Sequence, residues 1–293
     1  MRTQTEPQLK KRRSAFTLIE IMVATVIMVV LVGLVIQITS EVLNVWNRSS
    51  GKLAANAEAR IAMDLLTQDL ETAVFRNNGQ QWLRVEAPTS VGSPVAGQTV
   101  ALHLFSPALD RPMTKPDGSV ANGDISAIAY RLAFAKSYDG ANAPMTFALY
   151  RSIADPATTF DLLMGTGSSS PQLALTGGFW DEANVVDPNN FLVSNVVDFK
   201  IFIYTIDGSG NEIVYNDLDR NGTIDRNYVF GGTSSSGETA VYADIILKVI
   251  SNEALQVLQN VPVAQTGFST WAEYIAANSE TFTRRVNFLA RPL

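Results

Sequence analysis

The residues with the clearest chemical pattern lie near the N-terminus, where a basic cluster meets a long apolar run. Residues 10–13 are all Lys or Arg, and the run that follows extends to Ile36 with Glu20 inside it. A carboxylate in hydrocarbon is costly, so it is rare there without a partner or a function. A secretory signal peptide is cut after its apolar region, whereas the small residue at this charge boundary, Ala15, precedes the run. The pattern predicts that a short basic leader is removed and the apolar segment is retained.

The stretch from Ser14 to Glu20 reads Ser-Ala-Phe-Thr-Leu-Ile-Glu and closely resembles the prepilin signal of type IV pilins and type II secretion pseudopilins. In that family a membrane peptidase removes the leader and methylates the new terminal amine. The resemblance implies cleavage between Ala15 and Phe16 and N-methylation of Phe16. The family usually has Gly before the cut, and Ala15 departs from that pattern. The implied partners are a prepilin peptidase, the inner membrane and other pilin or pseudopilin subunits.

Glu20 is the residue to which the resemblance assigns a role in assembly. A buried carboxylate can pair with the positively charged N-terminal amine of a neighbouring subunit. Each of the two desolvated charges then compensates the other, although either alone would be strongly unfavourable. The tip-most K-type pseudopilins lack this Glu, so its presence argues against that type.

A second pattern, which could bind a metal ion, runs from Asp217 to Asp225. Oxygen ligands and one glycine fall where the first nine positions of an EF-hand-like calcium loop require them. The candidate calcium ligands are Asp217, Asp219, Asn221, Thr223 (through its carbonyl) and Asp225. The twelfth position is Tyr228 where the motif needs Glu, and no helix pair flanks the stretch. A plain hairpin turn, which the same residue types favour, is the alternative to calcium binding.

The remaining residues offer little material for catalysis. His103, the only histidine, lies in a strand-like apolar run, which favours a structural position over a general base. The chain has no cysteine, which excludes a thiolate nucleophile, a Cys-ligated metal and a disulfide. The formal net charge is −6, and removal of the basic leader makes it more negative, so nucleic-acid binding is not expected. We therefore expect a protein that is not an enzyme.

The element that positions the N-terminal residues is a long helix. Residues 16–38 are close to the ~20 residues that a helix needs to cross a bilayer, and the basic leader places the N-terminus in the cytoplasm. The helix is then predicted to continue over 39–78 as an amphipathic helix and to stop near residues 77–79. Its predicted apolar face consists of Leu43, Trp46, Leu53, Ala57, Ile61, Leu65 and Val74.

After Arg84 short β-prone runs replace the helical period. The predicted strands are Thr99–Phe105, Ile125–Phe134, Thr146–Ile153, Phe191–Ile206, Glu212–Tyr215, Thr239–Ile250 and Thr281–Leu289, and the predicted short helices are Asn252–Asn260 and Thr270–Asn278. The fold class is therefore α+β, with a pilin-like N-terminal helix packed on an antiparallel β-rich head. In this organisation a cleaved leader (1–15) precedes the membrane-spanning helix half (16–38), the amphipathic continuation (39–78) and a periplasmic or extracellular head (79–293).

Several weaker stretches resemble J-type minor pseudopilins, namely residues 54–76, 196–204, 241–251 and 282–286. The sequence thus predicts a structural subunit of a type IV pilus-like filament or a type II secretion pseudopilus, which assembles by packing of its N-terminal helix. We expect the subunit first in the inner membrane as a single-pass protein and then in the filament, which reaches the cell surface in a pilus. Two alternatives stay open: a minor pilin with an adhesive or uptake role, and a signal-anchored periplasmic binding protein.

Overall fold

The computed structural model of the chain describes residues 17–76, 79–89, 99–108, 118, 123–138, 140, 143–165, 175–232 and 239–288. The predicted cleavage residues Ala15 and Phe16 lie outside these ranges. The chain divides into two compact units, Met1–Ser49 and Ser50–Leu293. Helix α1 (Leu18–Glu71) contributes its first part to the first unit and its second part to the second.

Helix α1 ends at Glu71, several residues before the predicted stop. The backbone becomes extended because Val74 donates its N–H to the Phe105 carbonyl (2.8 Å). Phe75 then packs edge-on against Phe230 at a ring-centroid distance of 5.3 Å and against Phe288 at 5.4 Å. The helix therefore stops where tertiary contacts with the head begin.

In its described residues the second unit has two antiparallel sheets, of six and four strands, in the orders β5-β4-β3-β2-β1-β8 and β10-β9-β6-β7. The strands are β1 (Gln81–Thr89), β2 (Thr99–Ser106), β3 (Ser126–Lys136), β4 (Met145–Ile153), β5 (Phe191–Ser194), β6 (Val196–Ile206), β7 (Glu212–Val214), β8 (Tyr228–Gly231), β9 (Ala240–Ile250) and β10 (Ser279–Asn287). The further α-helices are α2 (Pro156–Thr158), α3 (Glu182–Val185), α4 (Asn252–Asn260) and α5 (Trp271–Asn278). These elements confirm the predicted α+β architecture.

The predicted strand from Phe191 to Ile206 is in fact two strands that belong to different sheets. The break falls at Asn195, whose φ of 63° lies in the left-handed region that Asn tolerates. Its N–H donates to the Phe147 carbonyl (2.7 Å), and its carbonyl accepts from Ile250 (3.0 Å). Asn195 thus joins both sheets while the chain passes from one to the other.

The buried face of α1 in the second unit differs from the predicted one. Leu53 and Ile61 were expected to pack on the head, but they are 67% and 59% exposed. The side chains that are buried are Ala55, Ala59, Ala62, Met63, Leu66, Leu70 and, just after the helix, Ala73. The prediction of the face was wrong because hydrophobicity favours large side chains, whereas close approach of a helix to a sheet favours alanine.

Candidate processing and assembly site

Glu20 lies in the first turn of α1 and forms a reciprocal cap with Thr17. The backbone N–H and the hydroxyl of Thr17 both donate to Glu20 Oε2 at 2.8 Å, and the Glu20 N–H donates to Thr17 Oγ1 at 3.3 Å. This arrangement is a capping box, which satisfies the free N–H groups at a helix start. Because its charge has hydrogen-bond donors within its own chain, Glu20 is less costly in an apolar segment than a bare carboxylate.

The first unit exposes nearly all of its apolar side chains. The large hydrophobic side chains from Leu18 to Trp46 keep 48–77% of their surface exposed, far more than a soluble monomer leaves contiguous. Thr25 and Thr39 donate their hydroxyls to helix carbonyls at 2.8 and 2.7 Å, so these polar groups need no water. With a mean hydropathy of 2.9 in its most apolar window, α1 is long and apolar enough to cross a membrane.

In the second unit a buried ion pair fixes α1 to the six-stranded sheet. Asp69 accepts from Arg151 Nε at 2.9 Å and from Arg151 Nη2 at 3.0 Å, and Tyr130 adds its hydroxyl at 2.6 Å. The side chains of Asp69 and Arg151 are each 2% exposed. Sequence analysis missed this cluster, although a single acid on the same helix face as Leu66 and Leu70 was a usable signal.

The loop from Asp217 to Asp225 closes on itself through hydrogen bonds. The buried Asp217 carboxylate accepts the N–H groups of Asn221 (3.1 Å) and Gly222 (2.9 Å). Asp219 accepts the Asn221 side-chain amide (2.8 Å), and Asn221 Oδ1 accepts the Thr223 N–H (2.7 Å). Gly222 takes a φ of 80°, as a tight turn requires. The stretch is therefore an ordered turn held by its own hydrogen bonds.

Metal binding receives no further support from the side-chain geometry. Within the described parts of the chain, no group of three or more His, Cys, Asp or Glu side chains is placed to hold a metal ion. The ammonium group of Lys200 also reaches the loop, where it donates to the Gly222 carbonyl at 2.7 Å. Calcium binding by Asp217, Asp219, Asn221, Thr223 and Asp225 stays a prediction.

His103 occupies a buried position in β2. It is 2% exposed, and its Nδ1 donates to the Leu175 carbonyl at 2.6 Å. Burial lowers the pKa of His103 to about 4, and the hydrogen bond to Leu175 offsets only part of that effect. The Trp180 ring lies 5.0 Å from the imidazole between centroids. These contacts match the structural position that the apolar sequence around His103 predicted.

Comparison with known proteins identifies the N-terminal segment. Residues 10–36 match the family described as the prokaryotic N-terminal methylation motif. The N-terminal segment therefore carries a prepilin-type methylation motif. The matched residues include Ala15, Phe16 and Glu20, so the resemblance drawn from the sequence is confirmed. The J-type assignment stays a prediction.

Beyond this segment, the similarity of the chain to known proteins is limited. A type IV-like pilin from Thermus thermophilus aligns with a TM-score of 0.36 and 11% sequence identity, over 80% of this chain and 96% of that chain. No curated protein sequence matches the chain.

Proposed function

We propose that this chain is a structural subunit of a type IV pilus-like filament or a type II secretion pseudopilus. The observation that carries the proposal is the N-terminal methylation motif, which opens a helix with a fully exposed apolar surface. Such a surface requires lipid or other apolar helices around it. Lipid satisfies it before assembly, and the α1 helices of neighbouring subunits satisfy it within a filament.

Glu20 directs assembly by changing its partner. In the single subunit its carboxylate is held by Thr17. In the filament it pairs with the N-terminal amine of Phe16 in a neighbouring subunit, so that two desolvated charges compensate each other. The exchange sets the axial position of one subunit relative to the next, because only one register brings the two charges together.

The proposed topology follows from the charges around the apolar segment. The basic leader stays in the cytoplasm, where a prepilin peptidase cuts between Ala15 and Phe16 and methylates Phe16. The β-rich head then lies in the periplasm or outside the cell. The chain works by packing and contact, without turnover of a substrate.

The N-terminus of the mature protein tests this proposal. We expect mass spectrometry of the chain, extracted from a strain with an active prepilin peptidase, to find an N-methylated Phe16 at the terminus. Ala15→Gly restores the family's usual residue and should be processed at least as completely. An intact Met1 in both proteins would overturn the proposal and favour a signal-anchored periplasmic binding protein.

The role within the filament needs a second measurement. A minor pilin with an adhesive or uptake role would be processed in the same way but present in few copies. Quantitative mass spectrometry of sheared filaments gives the ratio of this chain to other subunits. A dominant chain is a major subunit, and a rare one supports the minor-pilin alternative.

A further inference from the structure

Strand β10 forms an open edge of the four-stranded sheet. Phe288, which continues β10, donates its N–H to the Val241 carbonyl (3.1 Å), and backbone groups along a strand alternate in direction. The N–H and C=O groups of Thr281, Thr283 and Arg285 therefore point away from β9. No hydrogen bond within the described ranges reaches these groups, and all three side chains are exposed. Such an edge can accept another strand.

Strand β7 forms the opposite edge of the same sheet. Tyr215 donates its N–H to the Ile203 carbonyl (2.7 Å), so the backbone groups of Val214 and Glu212, one and three residues away, point outward. Arg220 reaches the Glu212 carbonyl at 3.3 Å, but a carbonyl oxygen has a second lone pair. The next outward carbonyl, that of Asn216, already accepts the Asp225 N–H (3.2 Å). The part of the second edge that is able to pair is therefore the short stretch from Glu212 to Val214.

The strand directions make these two edges compatible between copies of the chain. In the order β10-β9-β6-β7 each neighbouring pair is antiparallel, so β7 and β10 run in opposite directions. In the proposed filament all α1 helices point the same way, and all heads therefore share one orientation. Under that condition, β7 of one copy lies antiparallel to β10 of the next. A contact of this kind joins different surfaces and can repeat without closing.

We propose that β7 of one copy pairs with β10 of a neighbouring copy, with Glu212 opposite Arg285 and Val214 opposite Thr283. In this register all four residues direct their free backbone groups into the new ladder. Their side chains also share one face, because Arg285 lies over the rings of Tyr242 (4.1 Å) and Tyr204 (5.4 Å), and Tyr204 is paired with Val214. The pairing rests on the proposed filament function.

Charge favours this pairing over others. Glu212 is exposed, and within its own chain its carboxylate accepts a hydrogen bond from the Tyr242 side chain. A carboxylate has two oxygens, so the neighbour's Glu212 can also accept from Arg285, which gives only Nε and Nη2 to Asp244. A guanidinium has five N–H donors, so donors remain for the neighbouring Glu212. Charged residues on an edge strand normally discourage pairing, and here Arg285 favours an acidic edge as its partner. Since few residues pair, the contact adds to helix packing and does not replace it.

The absence of cysteine from the chain allows a direct test with introduced thiols. One full-length copy carries Glu212→Cys and a second carries Arg285→Cys, both expressed in cells with an active prepilin peptidase. Directly opposite residues in a hydrogen-bonded pair lie about 5.5 Å apart between Cα atoms, within disulfide range. We expect oxidation of isolated filaments to give a disulfide-linked dimer of the two variants. The control is Thr281→Cys in place of Arg285→Cys, which moves the thiol by about 13 Å and should remove the product.

A backbone variant separates pairing from mere proximity. Thr283→Pro removes an N–H that points away from β9, so the internal ladder is kept, as proline on an edge strand allows. When Thr283→Pro is combined with Arg285→Cys in one copy, the yield of disulfide-linked dimer should fall at least several-fold. The matched combination with Thr283→Ala should leave the yield unchanged. Filaments that form without the dimer, or that link equally through Thr281→Cys, overturn the strand pairing and leave the filament function intact. If the unsubstituted chain enters no filament, the proposed function itself fails.

Discussion

The two parts of α1 have the same secondary structure but opposite surroundings. Residues 18–46 expose large apolar side chains on every side, whereas residues 55–70 bury one face against the head and leave the other in water. The first part has apolar side chains all round, as in helices that lie in lipid or among other helices. The difference shows that one part completes its packing within the chain and the other must find its partner outside it.

The residues at the contact surfaces of α1 show what each of its two parts packs against. Ala55, Ala59 and Ala62 are almost fully buried, and their small size lets the helix approach the sheets closely. Asp69 adds a charged contact that only Arg151 and Tyr130 satisfy. Between residues 18 and 38 the first part has one acid, Glu20, which the structure pairs with Thr17 in its own helix turn. Substitutions can therefore affect assembly and folding separately.

The largest expected effect is loss of assembly on substitution of Glu20. Glu20→Ala should leave membrane insertion and head folding intact but exclude the chain from filaments. A neighbour's amine that is left without its buried partner costs about 3–5 kcal/mol. Shearing and fractionation measure the distribution, with Glu41→Ala as a control that removes an acid at the far end of the apolar segment. Normal incorporation of Glu20→Ala would remove this residue from the mechanism.

The next largest effect concerns the head and leaves the membrane part unchanged. Asp69→Ala leaves Arg151 charged and buried, which should lower the free energy of unfolding by about 3–5 kcal/mol. The matched control is Asp64→Ala, which breaks the more exposed pair with Arg284 and should cost less than about 1 kcal/mol. Denaturant titration of the detergent-solubilised chain, followed by tryptophan fluorescence, measures both. Equal losses for the two variants would contradict the special role of the buried pair.

A smaller effect is the dependence of head stability on pH through His103. Its pKa is about 4 in the folded chain and about 6.5 when unfolded, so the unfolded chain binds more protons between these values. Stability should therefore fall as the pH drops from 6.5 to 4, by about 3 kcal/mol in total, at about 1.4 kcal/mol for each pKa unit. His103→Gln keeps a donor for Leu175 but does not titrate. The difference between the two proteins should change with pH, and a constant difference would contradict the prediction.

The smallest expected effect is stabilisation by calcium at the Asp217–Asp225 loop. If the loop binds calcium in the folded chain alone, calcium at ten times its Kd should add about 1.4 kcal/mol to the free energy of unfolding by mass action. Asp219→Ala combined with Asp225→Ala should abolish the rise in Tm. Asp217 is a poor choice for this test, since its carboxylate accepts two backbone N–H groups and its loss would destabilise the turn. A Tm that is indifferent to calcium, or equally raised by magnesium, would favour the plain turn.

Most strands of the head could be predicted because their own residues are apolar and β-prone, as in β2, β3, β4 and β9. Two strands were missed for different reasons. Gln81, Arg84 and Glu86 make β1 look polar, yet it lies between β2 and β8, and Arg84 pairs with Glu86 at 2.9 Å. Strand β8 has only four residues and exists because β1 is beside it. Local preference cannot reveal a strand whose stability comes from a distant partner.

Among the site residues, too, some could be identified from local sequence and others only from tertiary contacts. The basic cluster, the small residue before Phe16 and the position of Glu20 are local patterns, so sequence alone was sufficient to identify the prepilin-like segment. Sequence also shows that Thr17 and Glu20 stand three residues apart, as a capping box requires. The partner of Asp69 could not be found in this way, because Arg151 and Tyr130 are distant in sequence and meet it only through the strand register.

The sequence by itself determined the long helix, its apolar first part and the chemistry of its N-terminus, because these depend on residues within a few turns of one another. The tertiary structure decided which face of α1 is buried, where the helix ends, how the strands divide between two sheets and which edges stay open. Those outcomes depend on contacts between residues far apart in the chain. A side chain such as Ala59 is unremarkable in the sequence and becomes essential only when a sheet packs against it.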